Sequence, residues 1–98
     1  MTDFSDFARR DLRLTILKAL AAQPGYTANE NILQHEARAV GLNRTREVIR
    51  TEMRYLADVG AVEVTEFGSV MIAKLRARGQ DHVSGLTVID GVNLPSPV

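Results

Sequence analysis

The stretch VIRTEMRYLADVGAVEV, residues 48–64, contains the transition that decides the fold. In its first half Ile49, Met53 and Leu56 recur at spacings of four and three residues, which is the apolar stripe of an amphipathic helix. Gly60 follows the last helical turn, where a left-handed residue commonly ends a helix. After this glycine, β-branched residues partly alternate with other types, which indicates a strand. The stretch therefore predicts a helix that ends at a glycine and continues directly into a β-strand.

Two further helices are predicted upstream of this stretch. The segment from Asp3 to Gln23 carries apolar residues at helical spacing and ends at Pro24-Gly25, because proline cannot continue the helical hydrogen bonds. The second helix opens on Thr27-Ala28-Asn29-Glu30, a capping-box pattern in which threonine and glutamate satisfy each other's free backbone N–H groups. Gly41 ends it, and the third helix is predicted over about 43–59 after a short Gly-Leu-Asn turn. Two helices joined in this way form a helix-turn-helix corner.

The C-terminal part is predicted to contain a hairpin and an extension. Two apolar runs flank a Gly-containing turn and predict a β-hairpin (61–65 and 70–75), after which a short helix or turn follows. We predict one domain over 1–84 and a C-terminal extension over 85–98, in which 86–89 can add an edge strand ahead of a flexible tail. The fold class is then α+β and mainly α, with a three-helix core followed by the hairpin.

The order helix, helix, turn, helix, hairpin resembles that of winged helix-turn-helix DNA-binding proteins. Residues 48–64 are similar to the passage from recognition helix to wing in such regulators, and the resemblance covers roughly 10–75. The stretch VMIAKLRARGQDHVSGLTVIDGVNLPSP, residues 70–97, is similar to the end of small winged-helix proteins of Mu-like prophages. The resemblance implies a transcriptional regulator of phage or bacterial type that binds double-stranded DNA and reads the major groove with its third helix.

Polar residues on and around the third helix form the candidate DNA-binding face. A helical wheel places a polar stripe with several arginines beside the apolar stripe. Arginine can pair with guanine through two hydrogen bonds, and asparagine can pair with adenine. Basic residues after the hairpin can contact phosphate, or can simply keep the surface soluble. The candidate DNA-binding residues are Asn43, Arg44, Thr45, Arg46, Glu47, Arg50, Thr51, Arg54, Lys74 and Arg76.

The same pattern also fits a less specific interpretation. Arginines four residues apart beside acids describe an ordinary solvated helix face with weak ion pairs. The net charge is zero, with 12 basic and 12 acidic residues, whereas many DNA-binding domains are basic. The predicted wing carries Glu66 and Phe67 in place of a basic tip. These features favour the alternative of a winged-helix protein-interaction module in phage assembly or DNA packaging, with no direct base readout.

The two hypotheses differ in whether the arginine side chains of the third helix are free to contact DNA. DNA readout requires that Arg46, Arg50 and Arg54 project freely. The acids predicted to compete for them are Glu47, Glu52 and Asp58.

Catalytic and cofactor chemistry finds no support in the sequence. The chain has no cysteine, which excludes a disulfide framework, a thiolate zinc site and a cysteine nucleophile. Two histidines, His35 and His82, stand without a metal-ligand pattern, and neither a glycine-rich phosphate loop nor a Ser/His/Asp arrangement is recognisable. We therefore predict a protein that is not an enzyme and has no cofactor, metal or small-molecule substrate.

Partners other than DNA are also constrained by the sequence. No apolar run approaches the ~18 residues needed to span a membrane, and the N-terminus lacks the features of a signal peptide. We expect a cytoplasmic protein of the bacterial host cell that does not bind membranes.

A homodimer is expected because winged-helix regulators commonly pair on two half-sites. Phe4, Phe7 and residues 86–89 are the candidate interface, unless they pack within the monomer.

Overall fold

The computed structural model describes residues 4–95, apart from the side chain of Phe4. It is an α+β fold, mainly helical, as the sequence predicts. The elements in chain order are α1 (Phe4–Ala22), β1 (Thr27–Asn29), α2 (Glu30–Ala39), α3 (Arg46–Asp58), β2 (Val62–Phe67), β3 (Val70–Leu75) and α4 (Ala77–Val83). A single turn of 3₁₀ helix, Pro24–Tyr26, joins α1 to β1. Two predicted features, the end of the tail at 96–98 and the Phe4 interface contact, lie outside what is described.

The core forms around α1, which packs against every other helix and against β3. Leu12, Ile16 and Leu20 of α1 are fully buried. The stripe of α3 formed by Ile49, Met53 and Leu56 is also fully buried, as predicted. Each such side chain contributes about 1.5–3 kcal/mol when it leaves water. The burial of this stripe fixes which face of α3 points outward and therefore which polar residues are presented to a partner.

The three strands form one antiparallel sheet in the order β1-β3-β2. β2 and β3 form the predicted hairpin, with Phe67 opposite Val70 at its tip. β1 was not predicted, and it overturns the capping box expected at Thr27 to Glu30. Residues 27–29 are extended because they pair with β3, so α2 begins only at Glu30. The side chain of Asn29 caps it instead, accepting the N–H of Ile32 at 2.9 Å.

Both ends of α3 follow from local chemistry. The side chain of Thr45 caps the first turn by accepting the N–H of Val48 at 3.2 Å, so α3 starts at Arg46, three residues later than predicted. Gly60 has a φ of +80°, which ends the helix in the left-handed region that glycine adopts readily. The predicted glycine stop is therefore correct.

The predicted edge strand at 86–89 is wrong. Within the described range these residues form a loop that folds back on the domain, with Ile89 buried in the core. The buried ring of His82 holds the loop from both sides. Its Nδ1 accepts the N–H of Ile89 at 3.1 Å, and its Nε2 donates to the carbonyl of Asn93 at 2.8 Å. The N–H of Ile89 is used by His82, and the N–H of Leu86 donates to the carbonyl of Asp81 at 2.8 Å, so neither is available for a sheet.

Candidate nucleic-acid interface

A buried carboxylate lies at the junction of α2, α3 and the hairpin. Glu30, the first residue of α2, is completely buried. Its Oε1 accepts a hydrogen bond from Nε of Arg46, and its Oε2 accepts one from Nη1 of Arg50 at 2.7 Å. The backbone N–H of Met71 in β3 also donates to Oε2. Glu30 therefore ties the first two turns of α3 to the sheet.

The surroundings of Glu30 keep it ionised. Burial alone would raise the pKa of this carboxyl, but the hydrogen bonds from Arg46 and Met71 and the charges of Arg46 and Arg50 outweigh burial. The pKa of Glu30 therefore lies below its ordinary value. The hydrogen bond to Glu30 and its charge raise the pKa of Arg46 in turn. The junction contains a carboxylate held by two guanidinium groups.

The tip of the β2–β3 hairpin is attached to the same arginines. The carbonyl of Ser69 accepts from Nη2 of Arg46 at 2.9 Å and from Nη1 of Arg50 at 3.3 Å. Nη2 of Arg50 also donates to Oε1 of Glu66 at 2.9 Å, and Nη2 of Arg54 lies 4.0 Å from the same oxygen. These contacts hold the hairpin against the side of α3.

The three arginines of the predicted stripe differ in how much of each side chain remains exposed. Arg50 is only 18% exposed and all its described contacts are with Glu30, Ser69 and Glu66. Arg46 keeps 43% exposure and Arg54 keeps 56%. The side chains thus do not project freely as DNA readout was expected to require, but two of them present guanidinium surface to solvent.

The acids that engage these arginines are not the three predicted. Glu30 and Glu66 hold them, whereas Glu52 is buried against α1 and pairs with Nε of Arg13 at 2.6 Å. Glu47 acts on Arg46 only through its charge. Asp58 makes no ion pair within residues 4–95.

The outermost face of α3 is nearly neutral. Its exposed side chains are Glu47, Thr51, Arg54 and Asp58, which include two acids and one base. The hydroxyl of Thr51 donates to the carbonyl of Glu47 at 3.0 Å. Arg46 and Arg50 therefore lie at the edge facing the hairpin, where Glu30 and Glu66 offset their charge.

Several polar groups of residues 43–45, just before α3, already make hydrogen bonds within the protein. Asn43 is exposed, and its Oδ1 lies 3.4 Å from Nε of Arg38. Arg44 is half-buried beside a cleft of about 240 Å³ between α1 and α3. Its carbonyl accepts from the amide of Gln34 at 2.9 Å, and the side chain of Thr45 is used as the helix cap.

Two of the predicted site residues lie away from this cluster. Lys74 is opposite Glu63 on β2 and Thr27 on β1, four residues along β3 from Val70 at the hairpin tip. At about 3.3 Å per residue, that distance is roughly 13 Å. Arg76 follows at the end of β3. The structure therefore does not bring Lys74 and Arg76 together with the arginines of α3.

The sequence carried a signal for one of the two buried acids and not for the other. Glu52 falls beside Met53 and three residues after Ile49, so a helical wheel already places it at the edge of the core stripe. Glu30 was interpreted as part of a capping box. Its actual role depends on the pairing of β1 with β3, which no local pattern reveals.

Residues 4–95 offer neither a metal site nor a membrane-spanning helix. This part of the chain contains no group of three or more His, Cys, Asp or Glu side chains that could hold a metal ion. It also contains no helix with the length and apolar character needed to cross a membrane.

The chain is similar to a protein described as "Uncharacterized protein gp26" of Escherichia phage Mu. The two sequences are 36% identical over 93 residues, which cover 95% of this chain and 96% of the relative. No protein-family model matches the chain, and no solved structure gives a significant match. The resemblance to a protein of Mu-like phages is thereby confirmed. With this identity over nearly the whole of both sequences, the chain belongs to the phage protein family that includes gp26 of phage Mu.

Proposed function

We propose that the protein is a winged helix-turn-helix protein that binds double-stranded DNA as a transcriptional regulator in the cytoplasm of the host bacterium. In this proposal α2 and α3 form the helix-turn-helix, α3 enters the major groove, and the β2–β3 hairpin is the wing. The element order and the attachment of the hairpin along α3 support it.

The observation that carries the proposal is the way Glu30 holds Arg46. The buried carboxylate takes Nε, and Ser69 takes one proton of Nη2, so the guanidinium is fixed while Nη1 keeps no partner within the described residues. An arginine fixed in advance loses less conformational entropy when it binds, and its planar donors match guanine or phosphate. The salt bridge to Glu30 therefore orients Arg46 toward a partner as well as stabilising the fold.

The other arginines divide into contacting and structural groups. Arg54 and Arg44 flank Arg46 along the helix and its approach, and we assign them to phosphate or base contacts together with Asn43. Arg50 is assigned a structural role because Glu30, Ser69 and Glu66 use its donors. Three arginines then contact DNA, which corresponds to a slope of about −2.7 in log affinity against log salt.

A salt series with random-sequence duplex DNA tests the proposal. With three contacts the affinity should fall roughly 40-fold between about 50 and 200 mM salt, as read by fluorescence anisotropy. Arg54→Ala should weaken binding and reduce this factor to roughly 12-fold, since one contact is lost. Arg78→Ala is the matched control, because Arg78 is an exposed arginine on α4 whose side chain lies beside Gly60, beyond the C-terminal end of α3, and its removal changes the net charge equally. Equal effects of the two variants, or no binding at about 50 mM salt, would refute the proposal.

A second candidate function is favoured by the hairpin tip. Phe67 is 81% exposed and stands beside Glu66, where a DNA-contacting wing would carry basic residues. A rigid exposed aromatic is a common anchor in protein interfaces. A protein-interaction module in phage assembly or DNA packaging therefore becomes the better explanation if duplex binding is absent.

We also propose that the protein forms a homodimer through exposed apolar side chains. Phe7, Leu86 and Val88 are exposed in the monomer, whereas Ile89 packs inside it and is removed from the predicted interface. Sedimentation equilibrium of the wild type and a Leu86→Ser/Val88→Ser variant tests the homodimer. A dimer that the double substitution dissociates would support it, and a monomeric wild type at high concentration would exclude it.

A further inference from the structure

Two acids contact the arginines of α3, and they differ in how easily they can leave them. Glu30 is buried, and its departure would leave the N–H of Met71 without a described acceptor and would remove a hydrogen bond from both Arg46 and Arg50. Glu66 is 55% exposed and lies near the end of β2. If Glu66 turns into solvent, Arg50 still has Glu30. Glu66 is therefore the acid that an incoming anion can replace.

The position of Glu66 is fixed by the hairpin. Arg46 and Arg50 both bind the carbonyl of Ser69, which anchors the hairpin tip beside α3. A single oxygen of Glu66, Oε1, lies 2.9 Å from Nη2 of Arg50 and 4.0 Å from Nη2 of Arg54. Within the described residues, Glu66 is the only acid within 4.0 Å of the Arg54 guanidinium. The carboxylate thus occupies the space between two donors that face the same side.

We propose that Glu66 is an intramolecular substitute for a DNA phosphate and limits the affinity of the α3 face. This inference rests on the proposed function. Glu66 and Arg54 attract each other by charge at 4.0 Å without a hydrogen bond, whereas a phosphate oxygen would make a charge-assisted hydrogen bond to the Arg54 guanidinium, so the two anions compete for its positive charge. Bound DNA must displace Glu66, whose negative charge then lies near the duplex backbone.

The consequence is a device that suppresses weak binding. Every polyanion that binds here must displace Glu66, which costs free energy. Only a partner that also contacts the rest of the α3 face offsets that cost. Because Glu66 disfavours every competing polyanion, it raises specificity while it lowers affinity. Such a device would keep a small phage protein from being held by the large excess of unrelated host DNA.

The experiment compares Glu66→Gln with Glu63→Gln in the full chain. Both substitutions keep the size of the side chain and raise the net charge by one. Glu63 lies on the same strand and is exposed, but faces Lys74 and contacts no arginine among the described residues. A Glu66→Lys variant adds a charge reversal at the tip. Binding to random-sequence duplex is measured by anisotropy between about 50 and 200 mM salt, the range over which phosphate contacts are resolved.

Glu66→Gln should bind at least about five-fold more tightly than wild type at low salt, because bound DNA then displaces no carboxylate from Arg54. Glu63→Gln should stay within about two-fold of wild type, because it adds charge away from the arginines. Glu66→Lys should bind more tightly again. If wild type binds and the two glutamine variants behave alike, the role of Glu66 is refuted and the proposed function stands. If none of the proteins shows salt-dependent binding, both proposals fall.

Discussion

Replacing Glu30 with alanine removes an acceptor that three donors share. Arg46, Arg50 and the N–H of Met71 all bind its two oxygens, so no neighbouring group can take over the whole role. Arg46 can turn to water because it is partly exposed. The N–H of Met71 loses its described acceptor. Arg50 is mostly buried and loses its contact with Glu30, but the Ser69 carbonyl and Glu66 still accept from its guanidinium.

The size of the effect follows from these contacts. Removing one partner of a buried ion pair costs about 3–5 kcal/mol when a buried charge is left uncompensated. Here the cost is lower, because Arg50 keeps its ion pair with Glu66 and Arg46 is partly exposed. An unsatisfied buried N–H alone costs about 1–3 kcal/mol. We expect Glu30→Ala to lose about 2–4 kcal/mol of unfolding free energy, which lowers Tm by roughly 8 °C or more in a domain of this size. Glu30→Gln should fall between this variant and the wild type, since its amide oxygen keeps one acceptor.

Urea unfolding followed by circular dichroism measures the difference directly. Glu63→Ala is the matched control, and as an exposed acid without described ion pairs it should stay within about 0.5 kcal/mol of wild type. A loss below about 1 kcal/mol for Glu30→Ala would refute the reasoning, because it would mean that the three donors find other partners.

Three further predictions concern pH and the C-terminal loop. The pKa of Glu30 is lowered on folding, so its ionised form stabilises the folded state. This stabilisation should be complete above the ordinary pKa of 4.5 and should be lost as the pH falls through the lower folded pKa. In a plot of unfolding free energy against pH, Glu30→Gln should flatten this part of the curve. Gly91→Ala should destabilise more than Gly85→Ala in thermal unfolding, by about 1 kcal/mol or more. Both glycines have a φ of +81°, but only at Gly91 would the new Cβ collide with Oη of Tyr55; equal losses would contradict this. His82→Ala should cost about 2–4 kcal/mol from two lost buried hydrogen bonds, and a variant as stable as wild type would show that the loop is held by other contacts.

The parts of the fold that were predictable are those fixed by local periodicity. The stripe of Ile49, Met53 and Leu56 and the stop at Gly60 follow from residues within one helix. The hairpin follows from two apolar runs close in sequence. In each case the interacting residues are neighbours in the chain, so the pattern is visible without the structure.

The parts that were missed depend on contacts between distant residues. β1 exists because residues 27–29 pair with β3, more than 40 positions later, and this pairing moves Glu30 into the core. The acids that engage the arginines of α3 come from α2 and β2 for the same reason, whereas the sequence suggested acids on α3 itself. The edge strand at 86–89 was wrong because this segment folds back on the domain, with Ile89 buried and its N–H bound to His82.

The most direct test of DNA binding through α3 is a titration of the ¹⁵N-labelled protein with a duplex of about 20 base pairs, two helical turns, at low salt. Amide chemical-shift changes should cluster at residues 43–54 and at the hairpin tip around Glu66 to Ser69, while α4 and residues 85–95 remain unaffected. Absence of shifts, or shifts confined to α1 and the C-terminal loop, would contradict a DNA-binding role for α3.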